Sequence, residues 1–134
     1  MPDTYSIPVE EPPRRPADAR TAVRRAVAER CRARHLPLDP EAMDDALLVA
    51  SELTTNAIVH GGGITGFDVD VDSAGVRVSV SDRSTELPVA QAPPPGCPRR
   101  HGRGWPIICH LSRDVRVCEL PCGGKRITAV VPLA

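Results

Sequence analysis

The sequence predicts an α+β domain. It would be a two-layer sandwich with a mixed, mostly antiparallel sheet and its helices on one face. Three observations carry this expectation. Apolar residues recur at helical spacing up to about residue 60, the pattern then switches to strict alternation in two valine-rich runs, and a second pair of alternating runs closes the chain after a proline-rich break. At 134 residues the chain is long enough to bury a core as one domain spanning 1–134.

The elements follow in order. "TYSIPV" (4–9) reads as a short edge strand, because Pro8 cannot donate to an interior ladder. "PPRRPAD" is a linker ending at Asp18, a candidate N-cap. Ala22, Val23, Ala26, Val27 and Cys31 then mark a first helix over Ala19 to about His35. Asp39 looks like the cap of a second helix, with Pro40 at its first position and acidic residues in its opening turns, running to about His60. Phe67, Val69 and Val71, then Val76, Val78 and Val80, predict two antiparallel strands joined at "DSAG". Residues 83–101 are too broken by proline for an element. A loop of that length inside a domain is usually functional. "GRGWPIICHLS" predicts a short helix, and "DVRVCEL" and "KRITAVVPL", joined by "PCGG", a closing hairpin.

Composition excludes several classes. Hydrophobic residues make up 41% and charged residues 25%, which argues against wholesale disorder. A formal net charge of zero gives no general drive toward nucleic acid or membrane. No apolar run reaches the ~20 residues of a membrane-spanning helix, and the opening "MPDTYSIPVEEPP" does not read as a signal peptide, so a cytoplasmic location is expected. The first helix is basic, with eight arginines in 14–34 against Asp18 and Glu29. The chain's aromatics are only Tyr5, Phe67 and Trp105, too few for the stacking platforms of a single-strand binder. Cys97, His101, Cys109, Cys118 and Cys122 match no usual zinc spacing, and with Cys31 these cysteines read as buried, reduced thiols.

The second helix carries the chemistry. On a helical wheel Ala46, Leu47, Ala50, Leu53, Thr54, Ala57 and Ile58 form the core stripe. Glu52 and Asn56 lie on the opposite side, flanked by Leu48, Val49 and Val59, as a cleft wall would be. The alternative is a solvated face with incidental apolar neighbours. A carboxamide oxygen is a hard, neutral ligand suited to Mg²⁺ beside phosphates, and a carboxylate one turn away could polarise a hydroxyl. Asp82, at a strand's end, could accept a hydrogen bond from an exocyclic amine such as adenine's. Gly102 and Gly104 would let backbone N–H groups approach phosphates at a helix N-terminus.

"SELTTNAIVHG" resembles the N box of the GHKL (Bergerat-fold) ATPases and kinases, especially the bacterial anti-sigma-factor serine/threonine kinases. "VRVSVSDRS" sits where that family has its first glycine box, "HGRGWPIICHL" resembles its second, and "GGKRITAVVPL" is similar to its closing strand. The resemblance implies an ATP- and Mg²⁺-dependent protein kinase. Asn56 would hold Mg²⁺, Glu52 would act as general base and Asp82 would read adenine. His60, Gly102, Arg103 and Gly104 would line the nucleotide, and 83–101 would form the ATP lid. The implied partners are an anti-anti-sigma (STAS-type) antagonist, which is phosphorylated, and a sigma factor, with no direct nucleic acid or membrane contact; a homodimer is allowed. The sequence departs from the family where "DRSTE" lacks both glycines after Asp82 and where Lys125, rather than threonine, follows Gly124. These departures keep open a second reading, a catalytically weak or inactive nucleotide-binding module that regulates a partner. A detached histidine-kinase domain is disfavoured, since no phosphoacceptor helix pair is present and His35 and His60 are poorly placed for that role.

Overall fold

The computed structural model describes residues 12–86 and 104–133. The chain runs α1 (Pro16–Arg34), α2 (Pro40–Val59), β1 (Ile64–Asp72), β2 (Gly75–Asp82), α3 (Gly104–Leu111), β3 (Asp114–Glu119) and β4 (Lys125–Val131). The four strands form one sheet in the order β1-β2-β4-β3, and all three pairings are antiparallel. The edge strand expected at 4–9 lies outside the described residues.

The helix starts follow from local chemistry. Asp39 caps α2, its side chain accepting from the Glu41 N–H at 3.2 Å, with Pro40 pre-set for the first turn. The start of α1 differs from the expected cap at Asp18. Pro16 opens that helix, Arg15 holds the cap position, and Asp18 sits in the first turn paired with Arg15. Proline at a first helical position loses no hydrogen bond, so the helix begins two residues before the best capping side chain. His35 ends α1 in the left-handed conformation at φ 53°.

The hairpin register matches the valine alternation. Phe67 pairs with Val80, Val69 with Val78 and Val71 with Val76. β4 extends the same inward row, Val76 facing Val131, Val78 facing Ala129 and Val80 facing Ile127. These residues are buried against Val23 and Val27 of α1, Leu53 and Ala57 of α2 and Ile108 of α3 in one core. The outward positions are polar, as in the hydroxyl pair Ser79–Thr128 at 2.9 Å. Among the described residues no helix is long and apolar enough to cross a membrane.

Candidate nucleotide site

Most of the expected stripe of α2 is buried: Ala46, Leu47, Ala50, Leu53, Thr54 and Ala57. Two assignments change. Val49, expected beside Glu52, is fully buried in the core, whereas Ile58 is 40% exposed. The buried face is thus turned toward Val49, because α2 packs on α1 and α3 as well as on the sheet and must bury more than one stripe. Leu48 and Val59 are exposed, an outcome shared by a cleft wall and by a solvated face.

Glu52 and Asn56 are half-buried and lie about 6 Å apart along the helix axis, one turn of rise. Among the described residues neither side chain makes a hydrogen bond or ion pair. Their neighbours behave otherwise. The Ser51 hydroxyl donates to the Leu47 carbonyl at 2.9 Å and accepts from Arg20, and Thr54 donates to the Ala50 carbonyl at 2.8 Å. The two groups expected to act are thus available, as is the half-buried Thr55 hydroxyl between them, which likewise makes no hydrogen bond among the described residues. A partner-free, half-buried carboxamide suits a hard cation, so Asn56 fits the Mg²⁺ role by its donor chemistry.

α2 ends in a glycine turn that delivers the chain to Asp82. The His60 N–H bonds the Asn56 carbonyl, and the N–H groups of Gly61 and Gly63 both reach the Ala57 carbonyl, with Gly62 at φ 75°. The Gly61 carbonyl then accepts from the Arg83 N–H at 2.9 Å, tying the helix end to the end of β2. Gly124 closes on Asp82 from the other side: a Cβ there would lie 2.1 Å from the Asp82 carbonyl oxygen, and its φ is +89°. Asp82 is thus clasped between two glycines whose role the linear sequence did not disclose.

The Asp82 carboxylate is engaged. Lys125 Nζ donates to Oδ1 at 3.0 Å and to Oδ2 at 2.9 Å, and the Ser84 N–H donates to Oδ1 at 2.9 Å. The two side chains are 6% and 5% exposed. They face each other across β2 and β4 at the end of the inward row, where the next apolar pair would stand. Sequence reasoning gave Lys125 no role. The available signal was composition, since Lys125 is the only lysine in a chain with 16 arginines.

Gly104 opens α3, whose free N–H groups could face an anion, and α3 packs against α2. Gly102, Arg103 and the lid expected at 83–101, apart from its first four residues, lie outside the described residues. No group of three or more potential metal-ligating His, Cys, Asp or Glu residues occurs among those described. Cys31 is buried, and burial pushes its thiol pKa up. Cys109, Cys118 and Cys122 are exposed, contrary to expectation. Cys118 alternates with the inward-leaning Val115 and Val117 on edge strand β3 and so points outward with Arg116, while Cys122 sits in the turn.

The fold defines an α+β sandwich class of domain. The family of histidine kinase-like ATPase domains, within the GHKL superfamily, matches residues 13–131, and the chain belongs to it. Comparison with curated proteins and with solved structures gives no match.

Proposed function

We propose that this protein binds Mg-ATP between α2 and the segment leading into α3. It would act as a serine/threonine kinase of the anti-sigma type, phosphorylating an anti-anti-sigma (STAS-type) antagonist and thereby controlling a sigma factor. The observation that carries the reading is the pair Glu52 and Asn56, one turn apart and without partners among the described residues, on the helix that ends against Asp82.

Asn56 would hold Mg²⁺ through its carboxamide oxygen, and the ion would supply charge neutralisation between the phosphates. The N–H groups at the start of α3 would orient the phosphate chain. In the transfer the bond from the γ-phosphorus to its bridging oxygen breaks, a bond to the acceptor hydroxyl oxygen forms, and ADP leaves. Glu52 would accept the hydroxyl proton. Little covalent work falls to the protein, so positioning carries most of the rate.

The absence of both glycines after Asp82 keeps a second reading, a module whose nucleotide sets partner affinity without turnover. Incubation with radiolabelled ATP, with and without the antagonist from the same cell, separates the two. Label on the antagonist supports the kinase. Nucleotide binding without label supports the module.

A further inference from the structure

We infer that Lys125 sets base selectivity in this cleft. Its ammonium fills, from within the protein, the donor position on Asp82 that a purine's exocyclic amine would take, and so suppresses discrimination between adenine and guanine nucleotides. The inference rests on the nucleotide reading above.

A carboxylate offers about four acceptor positions. Three on Asp82 are filled, by two bonds from Lys125 Nζ and one from the Ser84 N–H. The remaining one is on Oδ2 of a side chain that is 5% exposed and against which Gly61 packs so closely that a Cβ would come to 2.5 Å from Cγ and Oδ2. With Asp82 buried and Lys125 bonded to both of its oxygens, a base amine would compete with the ammonium for the carboxylate. That exchange gives up an ion-paired bond, ammonium to carboxylate, for one in which only the acceptor is charged. It also takes one of two carboxylate bonds from a buried cation whose other contact is the Ser84 carbonyl, at 3.4 Å. Glu119 lies opposite Lys125 in the β3 register, but it is exposed and makes no ion pair with it among the described residues. The competition is therefore decided for the lysine, and affinity would come from the phosphate and metal end.

Sixteen of the seventeen cationic residues are arginine, and the one compact, flexible ammonium stands at the one buried carboxylate to which base recognition is assigned.

The test is calorimetric titration of the full chain with Mg-ATP and Mg-GTP, alongside ¹⁵N-lysine NMR, in which wild type shows a single side-chain ammonium signal. Wild type should bind the two nucleotides within about threefold of each other, with that signal unshifted by ATP relative to GTP. Lys125→Met, which keeps the stem and removes the charge, should gain about tenfold or more for ATP and less than about threefold for GTP, the scale of one hydrogen bond to a charged group. Binding of ATP by the variant alone supports the same conclusion. ATP preferred by about tenfold in wild type, an ammonium signal shifted by ATP alone, or a folded Lys125→Met with an unchanged ratio overturns the inference and leaves the nucleotide reading intact. No binding of either nucleotide by wild type or folded variant overturns both. If Lys125→Met does not fold, the wild-type ratio and the ammonium signal decide.

Discussion

Gly61 lies directly against the carboxylate of Asp82: a Cβ at residue 61 would approach Asp82 Cγ and Oδ2 to 2.5 Å. The residue that opens the glycine turn after α2 therefore fixes where the buried acid can stand. Gly61→Ala should displace Asp82 and cost about 1–3 kcal/mol, the usual range for overpacking. Urea unfolding measures this, and a wild-type midpoint would show that the side chain moves aside freely.

Removing Asn56 should affect ligand and not fold. Its side chain is half-buried and unpartnered among the described residues, so Asn56→Ala opens no core cavity and orphans no donor. Magnesium-dependent ATP binding should vanish in calorimetry while the melting temperature stays within about a degree or two of wild type. Wild-type affinity in this variant would remove the N-box assignment.

Glu52→Ala should separate binding from transfer. ATP affinity should stay within a few-fold, while phosphate transfer to the antagonist falls by about 10²-fold or more, the scale of general-base removal. Sigma-factor binding should persist. An unchanged transfer rate would leave the enzyme reading standing and cancel the role of Glu52.

Asp82→Asn, which on the sequence alone should weaken ATP more than GTP, acquires a different expected outcome. It leaves Lys125 buried without its counter-charge, and breaking such a pair from one side costs about 3–5 kcal/mol. Stability should fall more in either single variant than in Asp82→Asn with Lys125→Met. In a double-mutant cycle by chemical denaturation, additive losses would mean that the two groups are not coupled.

Thiol reactivity should follow burial. Desolvation raises the Cys31 pKa, so less thiolate is present at a given pH, whereas Cys118 and Cys122 are exposed. Brief iodoacetamide treatment at pH 8, followed by mass spectrometry, should find Cys118 and Cys122 alkylated and Cys31 intact. Early modification of Cys31 would show that α1 opens readily.

Much of the architecture was legible because its signals are local. The valines at 67–71 and 76–80 alternate around a two-residue turn and set their own register, and Asp39-Pro40 announces a helix by capping chemistry alone. Glu52 and Asn56 were legible for the same reason, since one helical turn relates them. The placement of Val49 and Ile58 was not, because the direction in which α2 turns depends on α1 and α3. The Asp82–Lys125 pair was least accessible. Its partners are 43 residues apart and meet only because β4 inserts beside β2 rather than at the sheet's edge.

The solitary lysine also makes the molecule its own reporter of opening. An endoproteinase that cleaves only after lysine has one site in the whole chain, on an interior strand with its side chain locked to Asp82. The native protein should resist such an enzyme, and each molecule that is cut must first have released β4 from both neighbours. When reclosing outruns cleavage, the rate at which the two fragments accumulate follows the fraction of molecules open at any instant. A digestion time course on unlabelled, unmodified protein would thus follow how any bound nucleotide or partner tightens the sheet.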